Sequence, residues 1–254
     1  MKSSKERLID IFNDIKAQGW VQSHRVNNTG IGKTFEDLAG IVENNSQGPD
    51  FEEFEIKSHR GGVSSPITLF TLAPSFPRRA NGYLKDRYGE AYPDNPALKK
   101  LHTSMFANRR NSYAGRYAFK LINDREAEEI RIGVYDSSTE ELIDDSVGYT
   151  YSKLRAKLSS KLNNLFYVSA ERRFLNGVEE FKFTDGEIYT SPSFEQFLDV
   201  LDAGLVQYDI RIGSYQSGSK YGKPHDHGSG FRLREDHLHR LYAEHEALVS
   251  ADPQ

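Results

Sequence analysis

Not one of the 254 residues is cysteine. That absence excludes a disulfide framework and any thiolate-held metal centre, and it fits a protein of the reducing cytoplasm. Long apolar runs are missing too: no stretch approaches the roughly 18 residues that a membrane-crossing helix needs. The first residues, "MKSSKERLIDIFNDIKAQGW", interrupt their apolar positions with charges, so they predict an amphipathic helix and not a secretory leader. An excess of positive charge, the usual footprint of a nucleic-acid binder, is also lacking, since the formal net charge is −4. The average conceals two basic islands. Arg78 to Lys120 holds ten Lys/Arg against three Asp/Glu, and Arg211 to Arg234 five against one. Each is either an ordinary solvated face or a phosphate-facing surface.

Local patterns predict a mixed α/β chain. A first helix starts at Ser3 or Ser4, with Glu6 completing a capping box, and ends at Gly19. After a polar turn through Asn27 and Asn28, "KTFEDLAGIVE" predicts a second helix with Thr34 and Asp37 at capping-box spacing and Phe35, Leu38 and Val42 inward. "FEEFEIKS" and "ITLFTL" read as strands. Residues 73–112, rich in Pro, Gly, Asn and Arg, read as a surface insertion with a short helix around "NPALKKLHTSMF". "GRYAFKLI", "EIRIGVYD" and "EELIDDSVGYTY" alternate as an antiparallel meander. The strand "LFYVSAE", a polar segment, a helix from Ser193 to Gly204 and the strand "VQYDIRIGSY" follow. The loop "QSGSKYGKPHDHGSG", the strand "FRLR" and a closing helix bearing Leu238, Leu241, Tyr242 and Leu248 complete the chain. No internal repeat is visible.

Two short stretches carry chemistry. In "GPDFEEFEIKSH", a strand places Glu55 and Lys57 on one side, with Phe54 and Ile56 on the other. Asp50 precedes Glu55 by an odd offset, so the two carboxylates share a side only if a turn or bulge intervenes, and Pro49 suits such an entry. Two carboxylates form a hard-oxygen site of the kind that holds Mg²⁺, and an adjacent lysine can orient an attacking water. The plain alternative is a solvated, salt-bridged strand. In "NTGIGKTFED", a P-loop would require glycine where Asn27 stands and a strand before the loop; otherwise Gly30 and Gly32 allow close backbone approach, and the following helix presents Glu36.

"GIGKTFE", "PDFEEFEIK", "TLF", "DIRIG" and "PHDHG", in that order, closely resemble the MvaI/BcnI type II restriction endonucleases of the PD-(D/E)XK superfamily, nearer to the MvaI branch, with a more distant similarity to the MutH-like repair nickases. The resemblance runs from Gly19-Trp20 to Phe231-Arg232, with no recognisable motif between about 120 and 190. It implies a restriction-endonuclease-like core with a central mixed sheet flanked by helices, and two lobes forming a DNA cleft. The lobe boundary is placed near residue 175, giving a catalytic lobe 1–175 and a recognition lobe 176–254. It further implies a monomeric, Mg²⁺-dependent endonuclease cutting a short site of the form CC-N-GG, with A·T at the centre, and a companion DNA methyltransferase. Asp50 and Glu55 would hold Mg²⁺, Lys57 would act on the water and Glu36 would be a supporting acid.

Asp209 and Arg211 alternate on "DIRIG" and so face one side of their strand. Arginine suits guanine O6 and N7, and aspartate suits cytosine N4. His225, His227 and Arg232 match the family's other recognition positions. Arg78, Arg79, Arg109, Arg110 and Arg116 are candidate phosphate contacts, and Tyr113 either stacks or packs. The "HDHG" histidines have two other readings, as satisfied loop side chains or as a zinc pair completed by His237 and His239. The rival functions are a partner-activated repair nickase, a noncatalytic DNA-binding module and an NTPase.

Overall fold

The computed structural model describes residues 2–25, 30–41, 49–60, 66–162 and 164–248. The expected turn at Asn27 and Asn28 and the Val42 end of the second helix lie outside them. The elements in order are α1 (Ser4–Ala17), β1 (Trp20–Gln22), α2 (Gly30–Leu38), β2 (Phe54–Arg60), β3 (Ile67–Thr71), α3 (Ala80–Tyr88), β4 (Glu90–Tyr92), β5 (Asn95–Met105), β6 (Tyr117–Asp124), β7 (Glu129–Asp136) and β8 (Leu142–Thr150). Then come α4 (Tyr151–Lys161), β9 (Asn164–Leu175), β10 (Val178–Pro192), α5 (Phe194–Asp202), β11 (Val206–Ser214), β12 (Pro224–Asp226), β13 (Gly230–Leu233) and β14 (Tyr242–Leu248). Short 3-10 turns cover Gly218–Lys220 and Glu235–Leu241.

The chain divides into two interleaved compact units. One comprises Met1–Ser64, Ser159–Ser193 and Tyr242–Gln254; the other comprises Ser65–Leu158 and Phe194–Leu241. The division expected at residue 175 instead falls at the tip of the β9–β10 hairpin, whose strands pair along their length within the first unit.

The first unit is built on a mixed sheet in the order β1-β10-β9-β2, with β14 also on β10. Pairing is antiparallel except for β2 on β9, where Ile56 faces Phe166 and Lys57 faces Tyr167 in parallel register. Directly paired residues project to one face. The face of Phe54, Ile56, Phe166, Val168 and Phe181 meets Leu8, Phe12 and Ile15 of α1 and Ile31 and Phe35 of α2, all buried. The Ser3–Glu6 capping box starts α1 as expected. Thr34 does not cap α2: it lies inside the helix, its hydroxyl donates to the Gly30 carbonyl at 2.7 Å, and it accepts from the His24 amide at 2.9 Å.

The second unit holds the sheet β3-β13-β11-β5-β4, with β12 on β11, and the three-stranded meander β6-β7-β8. Its core is aromatic: Phe231 lies 5.1 Å from both Phe70 and Tyr208 and 5.3 Å from Tyr149. Residues 73–112 are not a surface insertion. Leu84, Leu98, Leu101 and Met105 are buried, and "NPALKKLHTSM" is strand β5. That strand pairs with β4 over its first part and with β11 over Leu101–Met105, so its inward positions lose strict alternation and imitate a helical spacing. The "polar segment" after "LFYVSAE" is β10, and the closing helix is a 3-10 turn followed by edge strand β14, where pairing to β10 overrides the helix propensity of "YAEHEAL".

Helix α3 is tied to the meander through one carboxylate. Asp144 Oδ2 accepts from Tyr83 Oη at 2.7 Å and Tyr88 Oη at 2.6 Å, and Oδ1 accepts from Ser146 N at 2.9 Å. Burial alone would raise this carboxyl, but the hydrogen bonds from Ser146, Tyr88 and Tyr83 outweigh it and hold the pKa at about 2. A carboxyl depressed below its unfolded value of about 3.9 contributes stability above that pH and loses it as pH falls through its folded value. Acid should therefore weaken the fold between about pH 4 and pH 2, and Asp144→Asn should show a smaller loss over that window than the wild type. Denaturant midpoints measured across the window check this; identical pH dependence in both proteins would contradict it.

Candidate active site and recognition face

Phe51 and Phe54 close a tight reversal. Phe51 N donates to Phe54 O at 2.9 Å and Phe54 N to Phe51 O at 2.7 Å, leaving Glu52 and Glu53 as the turn, with Glu52 at φ 51°. Asp50 immediately precedes this reversal and Glu55 immediately follows it. A reversal between them is the kind of turn that the odd offset requires if both carboxylates are to share a side. The Asp50 Oδ2 atom accepts from Ile56 N at 2.9 Å, which lays the carboxylate against the peptide joining Glu55 to Ile56. Lys57 Nζ donates to Glu55 Oε1 at 2.5 Å, with the two side chains 38% and 18% exposed. Tyr242 borders this group: burial, reinforced by the Glu55 charge and by Tyr189, pushes its phenol well up.

Glu36 is placed differently. A Cβ on Gly32 would sit 3.0 Å from Ser58 Oγ and 3.9 Å from Glu36 Oε1. Strand alternation puts Ser58 on the side of Phe54 and Ile56, away from Glu55 and Lys57. Gly32 thus lets α2 pack closely on β2, and Glu36 lies along that seam. Gly30 is likewise a packing glycine, since a Cβ there would meet Arg25 O at 2.5 Å. Among the described residues no group of three acidic or histidine side chains converges as a metal cage. Asp50 and Glu55 by themselves fit Mg²⁺, which takes one or two carboxylates and fills its other positions with waters and substrate phosphate.

The second unit gathers the other candidates on one face of β11. The Asp209 carboxylate is almost wholly buried and accepts four hydrogen bonds. Oδ1 takes Ser104 Oγ at 2.6 Å and Gln207 Nε2 at 2.8 Å; Oδ2 takes Arg211 Nη2 at 2.9 Å and Arg232 Nη1 at 2.7 Å. Arg232 is buried with it, whereas the Arg211 side chain is 48% exposed. The "HDHG" loop is pinned beside them. Asp226 Oδ1 accepts from Gly228 N at 3.0 Å and Ser229 N at 2.7 Å, Asp226 Oδ2 takes Asn81 Nδ2 at 2.7 Å, and His227 N donates to Arg211 O at 2.8 Å. His225 stacks on Tyr215 with centroids 4.2 Å apart, and His227 lies 4.0 Å from His225. His237 and His239 sit apart on the 3-10 turn at Glu235–Leu241, and the absence of any metal-holding trio among the described residues leaves the zinc reading without support.

Sequence reasoning missed Ser104, Gln207, Asn81 and His102. Gln207 was signalled by its two-residue spacing from Asp209 on β11; Ser104 and His102, which meet that strand only through β5–β11 pairing, and Asn81 carried no local signal. The five candidate phosphate-contact arginines are exposed, and three of them lie along aromatic rings: Arg109 is 3.6 Å from the Phe106 centroid, Arg110 4.2 Å from Tyr135 and Arg116 5.3 Å from Tyr117. Arg78 is exposed beside Arg79, which borders a hollow of about 570 Å³ with Lys223 and Asp226. Tyr113 packs: it is buried against Phe119 and donates to Lys100 O at 3.1 Å.

A sequence profile of the MvaI/BcnI restriction endonuclease family matches residues 9–242. Among solved structures, "Restriction endonuclease MvaI-cognate DNA substrate complex" superposes with a TM-score of 0.80 at 34% identity, covering 98% of this chain and 100% of that one. "Restriction endonuclease MvaI in the absence of DNA" gives a TM-score of 0.71 at 34% identity, covering 98% and 99%. No curated protein matches.

Removing one partner of a buried ion pair strands the other charge, at a cost of roughly 3–5 kcal/mol. Asp209→Ala should therefore destabilise the chain by about that amount, because Arg232 would lose its buried counter-ion. Equilibrium urea unfolding measures it, and a loss below about 1 kcal/mol would mean that the carboxylate does not hold Arg232 in place.

Proposed function

The chain belongs to the MvaI/BcnI restriction endonuclease family and is a type II site-specific endonuclease; from that premise we propose that it hydrolyses double-stranded DNA with Mg²⁺ at CC(A/T)GG, acting as a monomer. The observation that supports the catalytic assignment is the reversal at Phe51–Phe54, with Asp50 before it bonded to the Ile56 amide and Glu55 after it paired with Lys57. Asp50 and Glu55 are the carboxylates that hold the cation. A bound Mg²⁺ supplies Lewis-acid neutralisation of charge on the scissile phosphate and acidifies water. Lys57 keeps Glu55 oriented through its ion pair, and its ammonium is the protein cation that orients the attacking water and faces the developing phosphate charge. Glu36, presented by α2 where that helix packs on β2, is the supporting acid of the site.

Recognition falls to the β11 face. Arg211, half-exposed and aimed by Asp209, matches guanine O6 and N7, and His225, His227 and Arg232 complete the reading set. Arg78, Arg79, Arg109 and Arg110 supply phosphate contacts that set register without reading sequence. The A·T centre rests on the nearness of the motifs to the MvaI branch. The enzyme works in the cytoplasm, and a methyltransferase of the same site specificity protects the host's own DNA.

Purified protein incubated with unmethylated plasmid bearing CCTGG and CCCGG sites, with Mg²⁺ or with EDTA, should give metal-dependent double-strand cuts mapping to CC(A/T)GG. Asp50→Ala should lower cleavage roughly a thousandfold, the size expected from losing several kcal/mol of charge stabilisation, while retaining DNA binding. Cleavage that persists undiminished in EDTA, or in Asp50→Ala, would overturn the assignment. Nicking that needs an added partner would move the chain to the repair-nickase class.

A further inference from the structure

A G·C pair presents acceptors on guanine and one amino donor on cytosine in the major groove. A face that reads both strands therefore needs protein donors and at least one protein acceptor. Arg211 provides the donors. Asp209 cannot provide the acceptor as it stands, because a carboxylate has about four acceptor positions and Ser104, Gln207, Arg211 and Arg232 fill them.

His102 lies directly opposite Arg211 in the β5–β11 register, with Ser104 opposite Asp209 two residues along. It is exposed, and with Ser104, Asp209 and Arg211 it borders a hollow of about 400 Å³. The loop histidines do not line that hollow; His227 meets His102 edge-on at 6.0 Å. Although the residue is exposed, partial desolvation of its ring, helped by His227, Lys100 and Arg211 and opposed by Glu90, lowers the His102 pKa. A neutral imidazole keeps one ring nitrogen as an acceptor.

We propose that His102 is a specificity-determining residue: its ring nitrogen accepts from the amino group of the cytosine paired with the guanine that Arg211 grips, and Asp209 is a positioning residue that aims Arg211. This deepens the DNA-cutting reading and rests on it. Neither the sequence motifs nor the composition marks His102, because a lone histidine on an exposed strand position carries no signal until its neighbour across the sheet is known.

The test compares kcat/KM for duplexes carrying the site and each single base-pair replacement, for wild type, His102→Ala and His102→Gln, alongside the salt dependence of binding. His102→Ala should lose about tenfold of the preference for C·G at the one base pair that Arg211 grips, with the other positions and the salt slope unchanged. His102→Gln, whose amide keeps an acceptor, should regain part of it. Uniform weakening on all duplexes with a salt slope reduced by about one would identify a phosphate contact and overturn the proposal. So would preferences unchanged by His102→Ala. If wild type cuts no duplex, it is the endonuclease reading that fails, before any variant is compared.

Discussion

The alternation of side chains along a strand is the constraint on which the catalytic arrangement depends. Glu55 and Lys57 share a side of β2 by that rule alone, while Asp50 is sent to the opposite side unless the chain turns between them. The reversal at Phe51–Phe54 supplies a turn between them. It costs one residue, Glu52, a left-handed conformation, and it leaves Asp50 bonded to the Ile56 amide. Everything behind β2 keeps that strand where it is: parallel pairing with β9, the Phe166 ring between Phe12 and Phe35, and the close seam that Gly32 allows with α2. A hydrophobic face thus fixes the strand, and the opposite face carries the ions.

The second unit solves a similar problem with the opposite balance of exposure. Glu55 and Lys57 are partly exposed and paired with each other. Asp209 is closed in, with all its acceptor positions used inside the protein. Such a carboxylate stiffens its surroundings: it fixes one buried arginine and directs a second, half-exposed one outward. Asp226 does the same for the histidine loop by taking two loop amides and the Asn81 side chain. Acids in this face hold bases and loops in place, and the side chains left to meet a ligand are arginine and histidine. That division shows how a chain of net negative charge can still present a basic face.

Much of this was legible in the sequence where a local rule sufficed. The capping box of α1, the meander β6-β7-β8, the side shared by Glu55 and Lys57, and the side shared by Asp209 and Arg211 all follow from periods of two or 3.6. The failures have a common cause, which is pairing at long range. Strand β5 changes partners midway and imitates a helix; β14 is made a strand by β10; and β10 looked polar because only one of its faces is buried, although the Asn176-Gly177 turn signalled a hairpin. The interleaving of the two units was invisible for the same reason. At the sites, the need for a turn after Asp50 could be deduced but its form could not.

The central claim is that Asp50 and Glu55 hold one cation together. Anomalous diffraction from crystals of the chain with its DNA site and Mn²⁺ in place of Mg²⁺ tests it most directly. The account predicts a peak with oxygens of both Asp50 and Glu55 at about 2.0–2.3 Å. A peak bound by neither carboxylate, or by one of them with the other turned away, would contradict it.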